Sequence, residues 1–138
     1  MSNTILPRGL RNNNPLNIII SNNQWKGKRP KHQNTDGKFE QFDNIEYGYR
    51  AAFIILRKYI NAYGYKNIES IIHKWAPDGQ PYEENYIKRV ESLTGLNRRA
   101  DIHFHEQTKM INLVHAMATV ENGTTVRIEP IERAYNML

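Results

Sequence analysis

A chain of 138 residues, 39% hydrophobic and 24% charged, is long enough to bury a core without staples and carries no compositional mark of disorder. The absence of cysteine excludes disulfides and thiol chemistry, and no apolar run approaches the ~18 residues of a membrane span. A net charge of +5 and a pI near 9.5 predict attraction to polyanions without choosing among nucleic acid, anionic lipid and acidic wall polymer.

The opening Met-Ser-Asn-Thr-Ile-Leu-Pro-Arg lacks a charged leader followed by an apolar stretch, so no signal peptide is expected. A protein made in the cytoplasm would then reach a target outside the membrane through a lysing host, a virion or a secretion machine. Residues 1–45 are rich in Asn, Gly, Pro and Lys and read as loops plus a small β-ribbon. Asn17–Ile20 and Lys38–Phe42 are the expected strands, with Lys26–Gly37 a long basic loop between them. This part is too small to hold its own core, which makes it a lobe of one domain spanning 1–138.

Residues 46–138 are helix-patterned, giving a mainly α (α+β) class. The first helix is expected near Asn44, with Asp43 and Glu46 at capping-box spacing and Gly64 at its end. Ala51, Ala52, Ile55, Leu56, Tyr59 and Ile60 form its apolar face. A second helix, Asn67–Trp75, stops at the turn signal Ala76-Pro77-Asp78-Gly79. A third covers Tyr82–Leu93 and ends at Gly95; a fourth covers Glu106–Glu121 and ends at Asn122-Gly123. A short fifth follows Pro130.

The fourth helix carries the most informative residue. At ~100° per residue, Met110, Val114, Met117 and Ala118 lie within about 60° of the direction of Glu121, while Asn112, His115 and Thr119 lie opposite. Glu121 thus extends the apolar stripe. Desolvation there disfavours the charged carboxylate, and a carboxyl that keeps its proton is what cleavage of a glycosidic bond requires. The plainer alternative is a glutamate that merely ends a helix, where it opposes the macrodipole.

Several stretches resemble a known family. Arg8-Gly9-Leu10-Arg11-Asn12-Asn13-Asn14-Pro15-Leu16-Asn17-Ile18, Trp25-Lys26-Gly27, Asp36 to Phe42 and Gly48-Tyr49-Arg50-Ala51 look like the opening of phage virion-associated proteins with a lysozyme-like domain. Trp75-Ala76-Pro77, Glu84-Asn85, Tyr86-Ile87, Val90 and Ala116 to Gly123 continue that pattern. One departure is that Asp78-Gly79-Gln80-Pro81-Tyr82 stands where the family runs into a Glu-Asn-Asn-Thr-like segment.

A looser similarity links Ala116–Gly123 to the Ala-x-x-x-x-Glu-Ser/Asn-Gly helix of flagellar-type glucosaminidases and lytic transglycosylases, whose glutamate is the proton donor. Here the pieces follow in circularly permuted order. The resemblance implies a lysozyme-like helical core with an N-terminal β-ribbon lobe. It also implies cleavage of peptidoglycan glycan strands, as muramidase, glucosaminidase or lytic transglycosylase, with Glu121 as acid and no cofactor.

Glycosidases often add a second carboxylate, ~5–5.5 Å away when retaining and ~6.5–9.5 Å when inverting. Asp36 is the first candidate, although Asp-Gly is also an ordinary turn pair; Glu40 is the second, although a solvated strand glutamate is the plainer reading. Transglycosylases can work with one acid. Trp25, Trp75, Tyr82 and Tyr86 are candidate sugar-stacking rings, with one tryptophan expected in the core. The amides of Asn12, Asn13, Asn14 and Asn17, with Asn14 and Asn17 foremost, suit N-acetyl groups or else build a turn before Pro15. The five histidines show no metal-ligand spacing. The run Lys26, Lys28, Arg29, Lys31 reads as a solvated loop or an anion contact.

Two other classes remain. One is a non-catalytic wall-binding or virion structural module, whose partners would be peptidoglycan and other virion or secretion-machine proteins. The other is a nucleic-acid binder, which lacks a recognition motif or a basic helix face.

Overall fold

Caps and apolar periodicity set the helices. The computed structural model describes residues 5–76, 79 and 81–138. Among them are α1 (Arg8–Arg11), a 3-10 turn at Lys31–Gln33, α2 (Ile45–Asn61), α3 (Ile68–Trp75), α4 (Tyr82–Thr94), α5 (Gln107–Asn122) and α6 (Glu129–Asn136). The class is mainly α. No helix among the described residues is long and apolar enough to cross a membrane.

The cap of α2 falls one residue past the expected Asp43. The Asn44 side chain accepts from the Tyr47 N–H at 3.1 Å, satisfying a donor at the helix start. Glu46 turns instead to Arg133 of α6, at 2.9 Å. Asn67 and Ser70 make a reciprocal capping box at α3. Gly95 and Gly123 end α4 and α5 in the left-handed conformation, and Pro130 sits in the first turn of α6.

Helix α5 is the centre of the core. Met110, Leu113, Val114, Met117 and Ala118 are fully buried, and the helix touches α1, α2, α4 and α6. Each of the four larger side chains contributes about 1.5–3 kcal/mol on burial. The polar face expected for this helix is partly lost. Thr119 is buried, and His115 is half-buried with its Nε2–H donating to the Val126 carbonyl at 2.6 Å. A helix contacted from four sides has little room for a solvated stripe. α2 packs on α6, with Phe53 edge-on to Tyr135 at 5.3 Å, and α4 lies between α3 and α5.

The expected β-ribbon does not form. Residues 17–20 and 38–42 do run side by side, sharing Ile20 N–H to Lys38 carbonyl (3.0 Å) and Glu40 N–H to Ile18 carbonyl (2.9 Å). Yet only isolated antiparallel bridges result, Ile19 with Phe39 and Lys28 with Phe42. Asparagine side chains take the groups a ladder would use. Asn14 Nδ2 donates to the Ile18 and Glu40 carbonyls at 2.9 and 3.0 Å, its Oδ1 accepts from Ile18 N–H at 3.0 Å, and Asn34 Nδ2 takes the Phe39 carbonyl at 2.9 Å.

This lobe sits hard against α2. A Cβ on Gly48 would lie 2.0 Å from the Asn13 carbonyl oxygen, so only glycine allows that approach.

Candidate active site

Glu121 lies in the last turn of α5, half-buried where the helix reaches the asparagine-rich lobe. Asn17 Nδ2 donates to Glu121 Oε1 at 2.9 Å. The Asn17 backbone is in the left-handed region (φ 56°), a conformation that asparagine tolerates better than most residues and one that recurs where function constrains the chain. From α4, the Tyr86 hydroxyl hydrogen-bonds Glu121 and lies 3.4 Å from the Met117 carbonyl, at the limit of a second contact. Tyr86 is 1% exposed. Burial first, and then the neighbouring Glu121 charge, push its pKa well above the ordinary tyrosine value, so it remains a protonated donor.

The carboxyl opens on a groove of ≈ 200 Å³ lined by Leu16, Asn17, Ile19, Lys38, Phe39, Trp75, Ala76 and Tyr82. Trp75 is fixed by its indole N–H, which donates to the Leu16 carbonyl at 3.2 Å, and by an edge-on contact with Tyr59 at 6.0 Å. Tyr82 is 44% exposed and stands edge-on to Tyr86 at 6.1 Å. Both rings border the groove. Tyr86 does not, because it is buried beneath the carboxyl and has no free face. Trp25 lies farther along, half-buried, and neither tryptophan is enclosed in the core.

Asp36 and Glu40 are not brought to this groove. The Asp36 carboxylate is gripped by Arg8 (2.7 and 2.8 Å), Asn12 Nδ2 (2.9 Å) and the N–H groups of Lys38 (3.1 Å) and Phe39 (2.9 Å). The Arg8 hydrogen bonds above all hold its pKa far below the usual carboxylate range. Glu40 is 1% exposed, not solvated. Its carboxylate meets Lys28 Nζ at 2.9 Å and accepts from Ser21 N–H at 3.2 Å, while Lys28 also donates to the Ser21 and Asn23 carbonyls at 2.8 and 2.9 Å. That ammonium has a partner for each proton, so Lys28 belongs to the interior and not to a free basic loop. Asn14 is fully buried and spends its amide on the lobe backbone, which leaves it nothing to offer a ligand.

Three residues were missed in the sequence. Lys38 and Phe39 line the groove but read there as ordinary strand positions. Asn122, read as half of a turn, is buried and clamps α5 to the lobe, donating to the Pro15 and Ala118 carbonyls at 2.8 Å each. A Cβ on Gly9 would fall 2.7 Å from Asn122 Oδ1 and 3.1 Å from Asn17 Oδ1, so this glycine sets the spacing behind the carboxyl. Of the segment that departs from the family pattern, Asp78 and Gln80 lie outside the described residues, as does Pro77 before it. Among the described residues, Glu121 is the one carboxyl on this groove.

No family model matches the chain. It is similar to Protein P5 of Pseudoalteromonas phage PM2, with 40% identity over 120 residues that cover 85% of this chain and 72% of that protein. The chain therefore belongs to the family of this phage protein.

Proposed function

We propose that this chain is a lysozyme-like enzyme that cuts the glycan strands of bacterial peptidoglycan, with Glu121 as general acid. One arrangement supports the reading most: a half-buried carboxyl, held by Asn17 and by the buried Tyr86, facing a groove with the rings of Trp75 and Tyr82 on its wall. Flat apolar rings suit the C–H faces of pyranoses, and a fixed carboxyl beside them is positioned to protonate a glycosidic oxygen. Protonation occurs as the C1–O bond breaks and the leaving sugar departs as an alcohol.

Asp36 and Glu40 are engaged elsewhere, which favours chemistry with a single acid. Glu121, now a carboxylate, takes the proton from the attacking hydroxyl. When that hydroxyl is the sugar's own at C6, the product is a 1,6-anhydro end; when it is water, a reducing end. The phage family fits an enzyme that meets the wall in a virion or at lysis.

Purified protein should release soluble fragments from isolated peptidoglycan, with Glu121→Gln slower by about 10²–10⁴. Mass spectrometry should find 1,6-anhydro ends. The second reading, a wall-binding or virion structural module, draws on the engagement of Asp36 and Glu40. It takes over if wild-type protein binds walls and releases nothing.

A further inference from the structure

The groove does not stop at Trp75. Asn17 and Trp75 also border a neighbouring hollow of ≈ 330 Å³, which shares Trp25, Tyr59 and Lys74 with a third hollow of ≈ 670 Å³. The three adjoin in a row through shared walls, forming a trough that leads away from Glu121. The far end has a composition unlike the near end: it is walled by aromatic rings and carries Lys58 and Lys74, with no carboxylate among the described lining residues. The lysines that form ion pairs among the described residues are Lys28, Lys66 and Lys109, so the charges of Lys58 and Lys74 are uncommitted. Lys58 stands with its Nζ 5.7 Å from the centre of the Tyr63 ring. The Trp25 indole N–H, on the same wall, is buried without a hydrogen-bond partner, and a buried donor in that state is uncommon unless something else meets it.

We infer that the far trough is a subsite for a carboxylate carried by the saccharide strand, recognised by Lys58 and Lys74 while the rings hold the sugar. The inference rests on the strand passing Glu121. It goes further in stating that the substrate is anionic and that a neutral N-acetylglucosamine polymer is a poor one. In peptidoglycan the free carboxylates are those of the peptide stem, or the lactyl carboxylate on muramic acid residues that carry no stem, and both present the same chemistry to an ammonium group.

The experiment compares the full-length Glu121→Gln protein with Glu121→Gln carrying Lys58→Gln and Lys74→Gln, in pull-down on three insoluble walls. These are native peptidoglycan, carbodiimide-amidated peptidoglycan, and strands stripped of peptides by an amidase. Two partly exposed ion pairs are worth about tenfold together. The lysine variant should therefore bind native wall about tenfold more weakly and amidated wall no differently. Because the amidase frees the lactyl carboxylate as it removes the stem, a retained difference on stripped strands shows that the subsite accepts the lactyl carboxylate; a lost one confines recognition to the stem.

Equal binding of both proteins to native wall would overturn the inference, as would an equal loss on native and amidated wall. Matching circular dichroism and melting of the two proteins excludes a folding cause. Cleavage by Lys58→Gln/Lys74→Gln in the Glu121 background should fall by a similar factor on native wall only. If wild-type protein cleaves nothing, the catalytic reading fails, and the pull-down still decides the subsite.

Discussion

Residues 45–136 bury Tyr49, Phe53, Leu113 and Met117, whereas residues 8–43 bury Asn12, Asn14, Glu40 and Gln41 and tie each of them by hydrogen bonds. In the first region the stabilising contact is apolar area, which is non-directional and absorbs a small shift at modest cost. In the second these four side chains need their partners in place, since an orphaned buried donor or acceptor costs about 1–3 kcal/mol. Gln41 illustrates this: its amide donates to Asn12 Oδ1 at 3.0 Å and Thr35 Oγ1 at 2.8 Å, while its oxygen accepts from Thr35 N–H at 2.9 Å. The groove lies on the seam, taking Glu121, Trp75 and Tyr82 from the helical side and Asn17, Lys38 and Phe39 from the polar side. A tolerant wall thus faces an exacting one.

The contrast can be broken at several points. Leu113→Ala, in the middle of α5, should cost about 3–4 kcal/mol and lower the melting temperature of both regions together, since the core they share is opened. Asn14→Ala should cost about 2–3 kcal/mol by stranding the Ile18 N–H and the Glu40 carbonyl, but locally. Hydrogen exchange should rise across residues 12–42 while the amides of α5 stay protected. A uniform rise would erase the distinction drawn here.

Gly9→Ala should cost less, about 1–2 kcal/mol. Its Cβ meets Asn122 and Asn17, so cleavage should fall by more than stability does. Parallel loss of the two would mean that the spacing behind Glu121 is immaterial.

Asp36→Asn sharpens the comparison through acid. Asp36 titrates far lower in the folded chain than the value of about 4 for an unfolded aspartate. Its contribution is therefore complete above pH ~4 and is lost as the pH falls below that. Between pH 5 and pH 2.5 the wild-type lobe should loosen ahead of the helices, seen as exchange in residues 34–42. In Asp36→Asn this component of the pH dependence should vanish.

The helices were legible because their signals are local. The spacing of Ala52, Leu56 and Ile60, the Asn67–Ser70 box and the glycines at 95 and 123 act within a turn or two. The half-buried setting of Glu121 was legible for the same reason, as one residue on an apolar stripe. The lobe was not, because its partners are far apart in sequence. Nothing near Asp36 announces that Arg8, 28 positions away, will grip it, and nothing near Glu40 names Lys28. The segments read as strands at 17–20 and 38–42 do run side by side, but propensity does not reveal that asparagine amides will take the ladder's carbonyls. Tyr86 was assigned a sugar contact because its spacing from Tyr82 marks a shared face. Spacing cannot tell which end of that face is solvent and which is floor.

The bond from Asn17 to Glu121 joins residues 104 positions apart, and the one from Asn122 to Pro15 spans 107. During synthesis the carboxyl therefore emerges from the ribosome long after the amide that orients it, and no shorter nascent chain can carry an assembled centre. The long closure delays this arrangement until residue 122 has been made. Any fragment that omits either end, whatever helices it retains, should be catalytically silent.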